Sequence, residues 1–365
     1  MRAGGNLRAR SSGPRLRVLS ATATAVMVTV AAAVFATGPS PQKAGMAELF
    51  TSYNGITGRI GASWWQSAVA LSTMETYEQV TGDRSYEVAI PASFAHYAHT
   101  KFENAYNDDT GWWGLAWLQA YELTRSRLPQ AKVYLAMAET DADYVHRSWD
   151  RKCGGGVWWT TARRYKNAIT NEVFLELTAW LHNSVPGDLK YLRWAEAEWD
   201  WFRRSGMING RNLVNDGLDG QCANNHATTW TYNQGVIQAG LAQLYQATRN
   251  TRQLLEAEAI ARAAISHLTL RGVLREPCPR PGCGLRPGDV QSFKGIFVRG
   301  LKVLAVTART SQFNSFLTAQ ARSVEARDRD KDDKLGFMWD GPVTGSTPYS
   351  QASALDAEVA ALELP

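Results

Sequence analysis

The sequence predicts an all-α protein of about twelve helices, on three observations. Apolar residues recur at helical spacing in segment after segment from residue 46 to residue 362. Alternation of the strand type is confined to two short runs, residues 156–159 and 272–276. Connections between the periodic segments alternate between short and long, which pairs the helices into hairpins. Twelve helices make six pairs and fit a closed ring; a superhelical stack of repeats satisfies the same count.

Taken in order, a short helix is expected over 46–53, then one over 64–80 that stops before Gly82, a residue suited to the left-handed position after a helix. The segment 86–102 contains Pro91, which either kinks that helix or marks its true start. Helical spacing continues over 110–124, 131–149, 167–182 and 189–204. After an irregular stretch it resumes over 231–248, 253–268, 290–307, 314–326 and 351–362. Trp117, Trp180 and Trp194 fall inside these apolar patterns and read as core.

The N-terminus has a different character. Its first 17 residues hold Arg2, Arg8, Arg10, Arg15 and Arg17 and no acid; an apolar run over 18–35 and small residues at a cleavage point follow. That layout predicts a signal peptide over 1–36, a linker over 37–46 and one domain over 47–365. An uncleaved anchor is the alternative, weakened by Ser20, Thr22, Thr24 and Thr29 within the run. The five arginines account for the whole formal net charge of +5, so residues 18–365 are neutral overall. A nucleic-acid partner is therefore not expected. After signal cleavage nothing calls for a membrane, and nothing demands more than a monomer.

Four cysteines in an exported chain allow two disulfides in three pairings. Cys278 and Cys283 bracket the turn-rich Pro279-Arg280-Pro281-Gly282, which leaves Cys153 to join Cys222. A zinc site is disfavoured, because neither Cys153 nor Cys222 has a nearby partner at CxxC spacing. His96 and His99 lie i, i+3 without a third ligand. The run from Asn215 to Gly220 fails as a calcium loop, since Gly217 stands at its third position and His226 at its twelfth. No metal or organic cofactor is expected.

The long connections carry the unusual chemistry. Asp108 and Asp109 stand side by side, after Asn107 and ahead of Trp112 and Trp113, where a helix is expected to begin. Asn and Asp there can be a plain N-cap. They can also be the two carboxyl groups, roughly 5 to 5.5 Å apart, that cleave a glycosidic bond with retention. Neighbours within a helix point apart, but at a helix entrance the irregular backbone lets them converge. The other long loops mix amides and carboxylates (Asn167, Asp216, Asp219, Asn233, Gln234) with aromatic rings (Trp158, Trp159, Trp230, Tyr232). Polar groups of this kind bind hydroxyls, and aromatic faces pack on the apolar side of a sugar ring. Together they read as a carbohydrate cleft, with Trp112, Trp113, Trp158, Trp159 and Trp230 as candidate stacking residues.

Six blocks in order, Tyr106-Asn107-Asp108-Asp109-Thr110-Gly111-Trp112-Trp113, then 154–159, 165–172, 215–219, 230–235 and 293–297, resemble glycoside hydrolase family 76, the endo-α-1,6-mannanases. The resemblance covers residues 47–362. It implies an (α/α)6 barrel and a retaining mechanism, with Asp108 as nucleophile and Asp109 as general acid/base. It also implies that Asp216, Asp219, Tyr232, Asn233, Gln234 and Lys294 line the cleft, and that the substrate is an α-1,6-linked mannan or mannose-containing glycan. On that mechanism Asp108 stays ionised and Asp109 carries a raised pKa. Related fungal proteins of similar core imply a further reading, a mannan-directed transglycosidase; from another class, a non-catalytic mannan-binding protein would keep the stacking aromatics without turnover, against which the presence of both aspartates argues.

Overall fold

A computed structural model describes Met1 and residues 39–278 and 282–365, among which twelve α-helices follow one another. They are α1 (Pro41–Thr51), α2 (Trp64–Thr81), α3 (Ala89–Tyr97), α4 (Asn107–Thr124), α5 (Lys132–His146) and α6 (Ala168–Ser184). The second half holds α7 (Lys190–Phe202), α8 (Thr231–Thr248), α9 (Thr251–His267), α10 (Val290–Ala308), α11 (Asn314–Arg327) and α12 (Pro348–Ala360). The expected signal peptide lies outside the described residues, Met1 apart.

Local chemistry explains the ends. Helix α1 begins within the segment expected as linker, because Ser40 caps it through the Lys43 N–H (3.3 Å) and Pro41 occupies the first helical position. There the missing proline N–H costs nothing and its fixed φ suits the helix. Pro91 proves to mark a start and not a kink, since α3 opens only two residues earlier. Gly82 ends α2 in the left-handed conformation, φ 72°, and its N–H donates to Glu78 O at 2.8 Å. Thr347 and Ser350 cap α12 reciprocally, with Pro348 in the first turn. Of the two expected strands, only Val273–Leu274 forms one, paired antiparallel with Thr269–Leu270; residue 157 makes only an isolated bridge with Trp149. A second short hairpin, Tyr53–Asn54 with Arg59–Ile60, carries no alternating pattern in the sequence.

Helices α2, α4, α6, α8, α10 and α12 each pack on the next, and α12 returns to α2. That closure decides for a ring over a stack, and the architecture is an (α/α)6 barrel. The inner helices run parallel, as contacts between their first turns show. Trp65 of α2 stacks near Trp112 of α4 (5.8 Å), Gln66 donates to Ser292 of α10 (2.9 Å), and Tyr232 of α8 stacks on Phe293 of α10 (3.7 Å). Thr347, capping α12, donates to Gln291 of α10 at 2.6 Å. Outside them, α5 packs on α4 and α6, α7 on α6, α9 on α8, and α11 and α1 on α12.

Burial follows this division. Along α12 every residue from Tyr349 to Ala360 is buried, whereas α9 buries Gln253, Ala257, Ile260, Ala261 and Ala264, a single stripe at helical spacing. Where α8 meets α10 the backbones approach through two glycines. A Cβ on Gly300 would run into the carbonyl oxygen of Gly235, and one on Gly235 into the backbone of Phe297.

Gly300→Ala is therefore expected to destabilise the fold by about 1 to 3 kcal/mol or more through overpacking. Gly210→Ala, where no heavy atom lies within 4 Å of an added Cβ, should change stability by under about 0.5 kcal/mol. Urea unfolding of the two variants checks the contrast.

Candidate active site

Every long connection, over 98–106, 147–167, 203–230, 275–289 and 328–347, leads into an inner helix, while the connections into the outer helices are short. The long loops thus gather at the end where the inner helices begin. Inner-helix first turns carry unpaired N–H groups and a partial positive charge, a setting that favours carboxylates.

Helix α4 begins at Asn107, so Asp108 and Asp109 lie in its first turn, both half-buried. Asn107 itself is fully buried. Its Nδ2 donates to Trp158 O (2.7 Å) and its backbone N–H to Trp159 O (2.9 Å), clamping the 147–167 loop beside the pair. That clamp places the Trp159 indole so that Nε1 donates to Asp108 Oδ2 at 3.1 Å. Asp108 Oδ1 accepts the Asp109 backbone N–H, also at 3.1 Å. Asp109 Oδ2 accepts one donor, Asn104 Nδ2, at 2.7 Å.

Burial pushes both carboxyls up. Asp109 rises to about 6, through burial against the Asn104 donor and with a contribution from the Asp289 charge. Asp108 is held well above the usual range by burial first and then by the Asp109 charge, while its N–H donors oppose the rise. Against the expectation that Asp108 stays ionised while Asp109 alone is raised, burial lifts both carboxyls, and the donors on Asp108 only partly oppose its rise.

An aromatic layer, in which Trp112 and Phe293 are buried, leads to Tyr232, whose hydroxyl feels the Asp108 charge. Trp112, Trp65, Phe293 and Tyr232 follow one another at centroid distances of 5.8, 6.4 and 3.7 Å, and Trp230 meets Phe293 edge-on at 5.6 Å. On the other side Tyr106 and Trp159 lie 5.2 Å apart, Trp159 being 37% exposed. Burial and then the charges of Asp216, Asp108, Glu172 and Asp289 push the Tyr232 phenol well up, which puts Tyr232 among these acids. Asp216 Oδ2 accepts from the Tyr165 hydroxyl (2.6 Å), which in turn accepts from Asn225 Nδ2 (2.9 Å). Asp289, exposed at the rim, accepts from Trp65 Nε1 at 3.0 Å.

The expected cleft residues divide accordingly. Asp108, Asp109, Asp216, Trp112, Trp230 and Tyr232 come together, with Asn167 directly beneath Asp216, whose carbonyl accepts the Ala168 N–H at 2.7 Å. Trp113 is fully buried in a stack with Trp117 (5.5 Å), and Trp158 is buried with Nε1 on Asp150 Oδ2 (2.7 Å) and Lys166 4.8 Å from its ring. Neither ring is free to stack on a ligand. Gln234 spends its amide on Val214 N and O (2.8 and 2.9 Å), and Asn233 is fully enclosed. Asp219 is exposed and turns back on the N–H groups of Gln221 and Ala223, both at 2.9 Å. Lys294 is buried between Phe337 and Trp339 and donates to Phe337 O; burial lowers it to about 8, and the charges facing it are Glu276, Asp328, Asp340 and Arg275. It serves that cluster and not the Asp pair.

Disulfides join Cys153 to Cys222 and Cys278 to Cys283. The first ties the loop after α5 to the loop before α8. Sequence reasoning left Asn104, Trp65 and Asp289 unassigned. The signal for Trp65 was present: inner helices open on aromatic residues, Trp64-Trp65, Trp112-Trp113, Tyr232, Phe293 and Tyr349. Among the described residues no group of three or more His, Cys, Asp or Glu side chains is placed to hold a metal ion.

An (α/α)6 barrel with paired carboxyls in an aromatic-walled cleft at the inner-helix N-termini defines the class, a glycoside hydrolase. The model of glycosyl hydrolase family 76 matches residues 40–364, and the chain belongs to that family. It is 28% identical over 286 residues to mannan endo-1,6-alpha-mannosidase DCW1 of Candida albicans, covering 70% of this chain and 62% of that protein. To mannan endo-1,6-alpha-mannosidase DFG5 of Saccharomyces cerevisiae it is 28% identical over 284 residues, covering 71% and 61%. The chain thus spans about six-tenths of the length of the curated relatives it matches. GH76A alpha-1,6-mannanase from Salegentibacter sp. HEL1_6 shares the fold, with a TM-score of 0.78 at 23% identity over 88% of this chain and 98% of that one. An inactive variant of it, in complex with alpha-1,6-mannotriose, matches at the same TM-score with 22% identity, covering 89% and 99%.

A raised carboxyl keeps its proton in the folded chain after the unfolded chain has lost it. Its contribution to stability is greatest below about pH 4 and is lost as pH rises towards about 6 for Asp109. Asp109→Asn removes this cost, so the variant should match the parent in melting temperature at pH 4 and exceed it at pH 7, by roughly 1 to 3 kcal/mol in stability. Calorimetry of both proteins at the two pH values checks the sign.

Proposed function

We propose that the protein is an exported, retaining, endo-acting α-1,6-mannanase. The observation that carries this reading is the Asp108–Asp109 pair, supplied unequally with donors inside an open aromatic cleft. Asp108 is read as the nucleophile because N–H donors on both oxygens and a helix N-terminus oppose the rise that burial imposes. Asp109, raised to about 6, is read as the group that carries the proton below that pH. In the first step an Asp108 oxygen attacks the anomeric carbon as the C–O bond to the leaving sugar breaks, and the Asp109 proton passes to the departing oxygen. In the second, water attacks the anomeric carbon, its proton returns to Asp109, and the Asp108–sugar bond breaks with the α-configuration restored.

Substrate class rests on the cleft and on the relatives. Asp216 and the Tyr232 hydroxyl offer acceptors and donors for sugar hydroxyls, and the aromatic surface supplies stacking faces. The acidic lining disfavours polyanions. The fungal relatives are named as mannan endo-1,6-alpha-mannosidases, and the inactive Salegentibacter variant that carries mannotriose has two consecutive aspartates replaced. Export is supported by the arginine-rich, apolar N-terminus and by two disulfides, which persist in oxidising compartments.

Incubation with linear α-1,6-mannan, followed by NMR, should release short oligosaccharides that appear first as α-anomers. Asp108→Ala is expected to lower turnover at least about a thousand-fold, and Asp109→Asn by about 10² to 10⁴. First appearance of β-anomers would overturn retention. Products longer than the substrate would replace hydrolysis by transfer to an acceptor sugar.

A further inference from the structure

Asn104 lies in the loop before α4 and belongs to no expected site, yet it is pinned at four atoms. Its backbone N–H donates to Thr110 Oγ1 (3.3 Å), and its carbonyl accepts the Tyr144 hydroxyl of α5 (2.7 Å). Its side-chain Oδ1 accepts the Tyr106 backbone N–H (2.8 Å), and its Nδ2 donates to Asp109 Oδ2 (2.7 Å). The two side-chain contacts settle the amide orientation. A backbone N–H can only donate, so the oxygen must face Tyr106, and the NH2 group must therefore face Asp109.

We propose that Asn104 is a positioning residue for the acid/base, whose amide occupies Asp109 Oδ2 and so confines the transferred proton to Oδ1. The inference rests on reading Asp109 as the acid/base and extends it to the individual oxygen. An oxygen that accepts an N–H at 2.7 Å is a poor place for a hydrogen; the other oxygen carries it. During cleavage the proton leaves Oδ1 for the glycosidic oxygen and Asp109 gains negative charge. The Asn104 donor then faces an anion, and a hydrogen bond to a charged acceptor is roughly twice as strong as one to a neutral group. Asn104 thus favours the state that forms as the bond breaks. In the second step the same Oδ1 receives the proton from water, and Oδ2 stays with the amide throughout.

The charged groups facing Asp109 are few. Asp108 precedes it on α4, and Asp289 approaches from the start of α10. Asn104 is the side-chain donor that opposes them. Removing it leaves burial and the Asp289 charge without that counterweight, so the Asp109 proton must be held to higher pH.

Asn104→Asp keeps the shape and the acceptor for the Tyr106 N–H but removes the donor. On linear α-1,6-mannan its kcat/KM should fall at least about ten-fold, with the alkaline limb of the pH profile displaced upward by about one unit. On an aryl α-1,6-mannobioside with an activated leaving group, which departs without protonation, kcat/KM should stay within about three-fold of the parent. Asn104→Ala, measured alongside, should show the same dependence on leaving group and covers the case in which the Asp variant fails to fold. Equal losses on both substrates, or an unmoved alkaline limb, would overturn the proposal and leave Asn104 a structural residue. Asp109→Asn in the same assay separates the underlying reading. If that variant shows no dependence on leaving group, Asp109 is not the acid/base, and the proposal falls with it.

Discussion

Six parallel helices that begin at one end of a closed ring impose the main constraint on this molecule. Each contributes N–H groups without helical acceptors, and each points the positive end of its dipole the same way. Long connections gather there because each returns the chain from an outer helix to the start of an inner one. Acidic side chains then become tolerable in a place that burial would otherwise forbid. Asp108 and Asp109 on α4, Asp216 before α8 and Asp289 before α10 share that end. The acidity of the cleft is thus a property of the architecture as much as of any single residue.

Holding the site open requires that the loops be rigid without help from strands. The 147–167 loop shows how this is done. Lys166 is almost fully buried, and its ammonium donates to Asp150 Oδ1 (2.9 Å), Lys152 O (2.8 Å) and Gly155 O (2.6 Å), while Trp201 Nε1 donates to Cys153 O (2.9 Å). Gly155 and Gly156, at φ 151° and 88°, lie so close to Trp201 that a Cβ on either would overlap its ring. The Cys153–Cys222 bond, across a sequence separation of 69, fastens this loop to the one carrying Asp216. The result is a fixed position for Trp159 against Asp108. Much of what resembles a binding surface in the sequence is this supporting layer. Asn107, Trp158, Lys166 and Gln234 build the cleft without facing it.

Within the pair, burial and hydrogen-bond donors act against each other. Burial raises both carboxyls, and the Asp109 charge adds to the rise of Asp108. Donors select where charge can settle: Trp159 and a backbone N–H on Asp108, a single amide on Asp109. Removing the loop that carries Trp159, or the one that carries Asn104, would leave the same two aspartates with no distinction between them. Two residues identical in type thus acquire different hydrogen-bond partners from neighbours that are distant in sequence or lie on the opposite side of the helix entrance.

Helical spacing, caps and breakers act over a few residues, and the sequence by itself determined everything that depends on them. The twelve helices, the end of α2 at Gly82, the reading of Trp117 as core and the adjacency of Asp108 and Asp109 at a helix entrance were all legible. So was the family, through blocks whose order survives in the chain. Ring closure was legible through the family resemblance but not through helical spacing, because the contact of α12 with α2 joins segments nearly the whole domain apart. The fate of each polar or aromatic side chain was not legible. Trp112 and Trp113 are neighbours in one motif, yet rotation by a single helical step packs Trp112 on Trp65 and Trp113 on Trp117. Lys294 and Asp219 belong to motifs of the cleft but find partners elsewhere, and Asn104 and Trp65 enter only because loops from other parts of the ring meet there. Composition specifies which groups are available; only tertiary packing decides which of them share a volume, since burial and hydrogen bonding depend on what the rest of the chain brings alongside.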